Sequence, residues 1–167
     1  TPGADVGFVL ASGLRGGKRR GIAAALGISL GSLLHTLLAA MGVVALLHSH
    51  VWAYDALRYL GAVYLVVLAW RAWIGAGAPL SARGATGMRR AVTQGFVTNI
   101  LNPKVALFIL AFLPQFTNPA VGPVWQQMLL LGGLFTCTGL VVTIGYGVLA
   151  GTVSTHLQHH ERRLEKI

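Results

Sequence analysis

Asn102-Pro103-Lys104 lies inside TNILNPKVALFILAFLPQF, residues 98–116, a stretch that otherwise reads as an apolar helix. Proline has no backbone N–H, so in a continuous helix the carbonyl of Asn99 would lose its usual partner. Asparagine is a good N-cap, and proline suits the first helical position. The triplet therefore reads as the start of a second half-helix, 103–116. Thr1-Pro2 has the same form, a capping residue followed by proline, with Gly3 and Asp5 in the turn that follows. The two half-helices run in opposite directions across the chain's topology. Opposed breaks of this kind mark an inverted repeat with its site at the repeat interface. The alternative is two ordinary proline kinks.

The ionisable residues fall at one depth. At 1.5 Å per residue, Lys104 is at the midpoint of its span and His35 at the midpoint of 22–47. Asp5 is nine residues from Leu14, about 14 Å from the edge of a core about 30 Å thick. Tyr64, Thr136, Cys137 and Thr138 lie at similar depth. A charge there costs about 3 kcal/mol on insertion scales, which argues for inward orientation, pairing and function. Two half-helix N-termini suit a carboxylate, Lys104 adds a cation, and Asp5 offers an anion to an ammonium group. A cavity with both signs fits a zwitterion, of which an amino acid is the commonest. His35 or Asp5 could also carry a proton. Each residue has a plainer reading. Lys104 could snorkel, Asp5 could complement the helix dipole or bridge to Lys104, and His35 could be a neutral core residue. Asn99 and Asn102 could act as caps alone, and Thr136 and Thr138 could bond their own helix.

These residues need spanning helices to hold them. Of 167 residues, 54% are hydrophobic and only 10% charged, with a mean hydropathy of +0.67. Residues 21–47 and 124–154, 27 and 31 residues long, contain no Asp, Glu, Lys or Arg. A bilayer span needs about 20. The expected architecture is an all-α integral membrane protein, a polytopic helical bundle with two inverted halves and proline-broken helices. One transmembrane domain, 1–167, comprises a half span 1–14 and spans of about 22–47, 52–74, 91–116 and 125–153. A Gly/Ala-rich, basic and mobile linker, 75–90, separates the halves.

The net charge of +9 comes in clumps, not along one face, so it does not point to nucleic acid. Arg15, Lys18, Arg19 and Arg20, then Arg71, Arg83, Arg89 and Arg90, then Arg162, Arg163 and Lys166 alternate with segments 48–54 and 117–123, which have no Lys or Arg. The positive-inside rule places 15–20, 75–90 and 155–167 in the cytoplasm. Both ends read as cut, leaving four whole spans and a half of a parent with about six. The single cysteine, Cys137, forms no disulfide within the chain, and residues 1–14 have no signal-peptide layout. No HExxH, Ser/His/Asp spacing or phosphate loop points to an enzyme.

Gly27 with Gly31, and Gly147 with Gly151, are small-xxx-small pairs that let helices approach closely; the sequence leaves room for a homo-oligomer. His156 and His160 are one turn apart near His159 and Glu161. As an interfacial stretch they need no metal, and no cofactor is expected.

Four stretches, TPGAD at 1–5, GIAAALGISLGSLLH at 21–35, LRYLGAVYLVVLAWRA at 57–72 and above all GFVTNILNPKVALFILAFLPQF at 95–116, resemble the lysine-exporter (LysE) superfamily. The resemblance is in particular to its homoserine/threonine-resistance (RhtB-type) branch of bacterial amino-acid exporters. The resemblance covers essentially the whole chain. It implies six spans and efflux of amino acids or their derivatives across the bacterial inner membrane, driven by the proton gradient. The matching motif residues are Pro2, Gly3, Asp5, Asn99, Asn102, Pro103, Lys104, Pro114 and Gln115. Ala4 departs from the family's second proline, which softens the first break. A cation or metal-ion exporter or channel, or a membrane module that transports nothing, remain the alternatives.

Overall fold

The computed structural model describes residues 3–49, 51–74, 84–85 and 87–164. The described residues hold five α-helices and a short 3-10 turn, with no strand among them. These are α1 (Ala4–Ser49), α2 (Val51–Trp73), α3 (Met88–Ile100), α4 (Pro103–Phe112), the 3-10 turn Leu113–Phe116 and α5 (Val124–Leu164). Three stretches are long and apolar enough to cross a bilayer: Ala4–Leu47, Trp52–Arg71 and Val124–His156. The broken pair Met88–Ile100 and Pro103–Phe116 makes a fourth if counted as one span. Their outward faces are oily. Leu30, Met41, Val66 and Leu149 are among many large apolar side chains more than half exposed. A water-soluble surface rarely carries so much contiguous apolar area. Trp52, Trp70 and Trp73, near the two ends of α2, are also exposed, as in the aromatic belts of membrane interfaces. The protein is an all-α membrane protein.

The connection expected over 15–20 is almost entirely helical. Only Gly17 leaves the helix, with φ 71° and ψ −177°, a region open essentially to glycine alone. Gly17 folds the chain back on itself. A methyl carbon added at Gly13 or at Gly21 would fall 2.6 Å from one and the same atom, the Gly147 carbonyl oxygen. Eight residues of continuous helix would instead hold those positions about 12 Å apart. The half span and the first whole span are thus two arms, residues 4–16 and 18–49, joined by a one-residue turn. Arg and Lys are good helix formers, so the basic run at the turn extends the arms.

The linker differs from expectation at its far end. α3 begins at Met88, three residues early, and residues 84–85 are pinned. Ala85 is buried and its N–H donates to Ser12 Oγ at 3.4 Å; Arg15 Nη1 donates to the Gly84 carbonyl at 3.5 Å. Residues 75–83 and 86 lie outside the described residues.

The chain forms two compact units that do not coincide with the sequence halves on either side of the linker. One contains Ser32–Gly77 and Asn102–Cys137; the other contains Pro2–Gly31, Ala78–Leu101 and Thr138–Ile167. α1 and α5 are long enough to give part of their length to each. The core of the first unit is Ala39, Ala40, Val43, Tyr54, Ile109, Leu113, Val124 and Met128. Phe108 stacks on Phe112 at 4.8 Å and leans on Phe135 at 5.5 Å. The core of the second is built from small residues, Ala23, Ala24, Ala25, Ala85 and Ala91, with Phe8, Val9 and Ile28. Both small-xxx-small pairs lie at close helix contacts there. Methyl carbons at Gly147 and Gly151 would clash with the backbone of Gly21 and of Gly17-Lys18.

Candidate functional site

In the unit that holds both small-xxx-small pairs, the polar centre is Asp5 with Asn99. α1 begins at Ala4, and the Gly3 carbonyl accepts the first helical hydrogen bond, from Gly7 at 3.1 Å. This places Asp5 in the first turn, where a carboxylate complements the dipole. Its side chain is buried, at 9% exposure. Asn99, on the last turn of α3 and 1% exposed, donates its Nδ2 N–H to Asp5 Oδ2 at 2.7 Å. A hydrogen bond to an ionised acceptor is about twice as strong as a neutral one. Asn99 is therefore more than a cap: its side chain reaches across 94 residues of sequence to the carboxylate. Thr1 and Pro2, the proposed first break, lie outside the described residues.

In the other unit, Asn102 starts α4 as the sequence suggests. Its backbone is extended at φ −84°, ψ 96°, and Pro103 follows at the first helical position. Its side-chain oxygen accepts from the Lys104 N–H at 3.2 Å, and its carbonyl accepts from Val105 and Ala106. Pro103 is exposed, Asn102 and Lys104 are half-buried, and Lys104 occupies the first turn of α4. His35 is half-buried near the middle of the 18–49 arm of α1. Gln115, half-buried on the 3-10 turn, donates from Nε2 to the Arg58 carbonyl at 2.6 Å and the Ala111 carbonyl at 3.2 Å. Its amide thus clasps α2 to the end of α4.

Sequence reasoning missed the clasp's second member. The Tyr54 hydroxyl meets Thr117 Oγ1 and lies 3.4 Å from the Pro114 carbonyl, with the Arg58 guanidinium 5.9 Å from the Tyr54 ring centre. No local pattern signals it, because the partners are 60 and 63 residues apart. Thr136 also departs from expectation. Thr143, Thr152 and Thr155 bond carbonyls of their own helix, but the buried Thr136 Oγ1 has no hydrogen-bond partner. Among the described residues no three of His, Cys, Asp and Glu gather as a metal site. Cys137 is a free, exposed thiol.

Comparison with known proteins places this arrangement. A membrane protein of Vibrio cholerae is 30% identical over 94% of the chain and 77% of its own length. A homoserine/homoserine lactone efflux protein of Salmonella typhimurium is 29% identical over 95% of the chain and 77% of its own length. A leucine efflux protein of an Enterobacter species is 27% identical over 99% of the chain and 80% of its own length. No solved structure is a significant match. The LysE type translocator family matches residues 1–167. With its broken span, its apolar outer faces and a match running from first residue to last, this chain belongs to the LysE type translocators, a family of membrane transporters.

Proposed function

We propose that the chain exports amino acids or amino-acid derivatives across the bacterial inner membrane, with Asp5 and Asn99 at the heart of its transport site. The observation that carries this reading is the Asp5 carboxylate. It is buried in a membrane-spanning helix and held by the Asn99 amide at 2.7 Å. A charge is retained at such depth chiefly where function uses it. Asp5 supplies an anion for the ammonium end of the substrate. In the other unit, Lys104 in the first turn of α4 is a positive charge suited to a carboxylate. Gly3, Asn102 and Pro103 shape the helix starts, Gln115 steadies α4, and His35 or Asp5 carries the proton if export is proton-coupled. The names of the homoserine and leucine efflux relatives support a small zwitterion over a bare cation. In this reading residues 1–167 form a single transporter domain of two inverted halves, with segments 15–20, 75–90 and 155–167 cytoplasmic.

The test is efflux of radiolabelled leucine and homoserine from cells expressing the protein. Asn99→Ala and Asp5→Asn are each expected to reduce efflux at least tenfold at unchanged membrane abundance. Efflux at the unsubstituted rate in both variants would remove the site, and flux of a metal cation in place of either amino acid would remove the substrate class.

A further inference from the structure

Gly31 lies beneath Asn99. A methyl carbon added at Gly31 would fall 2.5 Å from Asn99 Oδ1, 3.0 Å from its Cγ and 2.8 Å from its Cβ. Turning the amide about its side-chain torsions would relieve the first two contacts. It would leave the third, because Cβ does not move with those torsions. Relief then requires α3 to shift against α1, and α3 has little room on its near side. A methyl carbon at Gly27, one turn before Gly31, would meet the Val92 carbonyl oxygen at 2.1 Å, and one at Gly95 would meet the Ala24 carbonyl oxygen at 2.5 Å. Along 24–31 and 92–99 the two helices touch backbone to backbone. At Gly27 and Gly95 the missing side chain admits a neighbour's main chain. At Gly31 it admits a functional side chain, the one that bonds Asp5 at 2.7 Å.

We propose that Gly31 is a positioning residue of the transport site: the space left by its missing side chain seats the Asn99 amide against the Asp5 carboxylate. The proposal rests on the role given above to Asp5 and Asn99. It adds that the geometry of their bond is set from a third position, Gly31. Either way of accommodating a methyl group, rotation of the amide or retreat of α3, changes the position of Nδ2 relative to Oδ2. Gly31→Ala should therefore act on export through Asn99.

A double-mutant cycle reads this directly. Gly31→Ala, Asn99→Gly and the pair are compared for efflux of radiolabelled leucine and for thermal stability of the purified full chain. Gly42→Ala serves as control, because a methyl group there meets nothing within 4 Å. Gly31→Ala is expected to lower efflux at least tenfold per folded transporter while Gly42→Ala leaves it unchanged. In the Asn99→Gly background, where the clashing atoms are gone, Gly31→Ala should cost nothing further in efflux or in stability. A generic packing role predicts the opposite: the Gly31→Ala loss would persist in that background, and this result would overturn the proposal. If Gly31→Ala alone fails to fold, the pair still decides. Folding restored to the Asn99→Gly level supports seating of Asn99, and a pair as defective as Gly31→Ala refutes it. Undiminished efflux in Asn99→Gly itself would instead sink the site reading on which the proposal stands.

Discussion

Asp5 and Lys104 carry opposite charges in segments that otherwise exclude charge, and their substitution separates three mechanisms. If each serves one end of a zwitterion, Asp5→Asn and Lys104→Met each abolish efflux, and the double variant stays inactive. If they form only a structural bridge, a single substitution leaves a buried charge uncompensated, at about 3–5 kcal/mol, and the double variant recovers both stability and efflux. If they are independent, their stability losses add. The expected outcome is inactivity in all three variants, scored by efflux and by thermal melting together. Asp5 was legible as a functional candidate from the sequence because an acidic residue in a span is costly wherever it sits. Asn99 was a candidate too, but its bond to Asp5 was not legible. Asn99 belongs to the same motif region as Asn102, and local rules make both of them caps. Only the packing of α3 on α1 shows that one asparagine caps a helix while the other holds a carboxylate.

Helix breaks were legible where local chemistry makes them. Asn102-Pro103 starts α4 because a side-chain oxygen satisfies the Lys104 N–H and proline has no N–H to satisfy. Pro103→Ala restores a donor at that position and lets the helix close. The variant should insert normally and melt no lower than the parent, while efflux falls; unimpaired efflux would make the break an ordinary kink. The turn at Gly17 was not legible in this way. GLRGGKRRG looks like a polar loop, yet all of it but one residue keeps helical geometry. Nothing in the local sequence singles out Gly17 among these glycines as the one that turns. Gly17→Ala forces a Cβ into the positive-φ region at φ 71° and should destabilise the protein by about 1–3 kcal/mol, measured as a lowered melting temperature in detergent. The neighbouring Gly16 has ordinary helical geometry, so Gly16→Ala lacks this backbone strain. The linker shows the limit of composition. A Gly- and Ala-rich stretch reads as mobile, but Gly84 and Ala85 are held by Ser12 and Arg15, residues about 70 positions away.

For the molecule as a whole, the alternation of basic clumps makes a claim about sidedness. With Cys137 replaced by serine, a cysteine introduced at Ser81 should resist an impermeant thiol reagent added to intact cells and react once the membrane is opened. Rapid labelling from outside would invert the topology. The all-α membrane character followed from the length of the uncharged runs alone. The division into two interleaved units did not, because it depends on which segments of the long helices α1 and α5 find neighbours. The hairpin at Gly17 has a further consequence, for how the protein is made. Its two arms share a turn one residue long, so once that turn has formed neither arm can enter the lipid without the other.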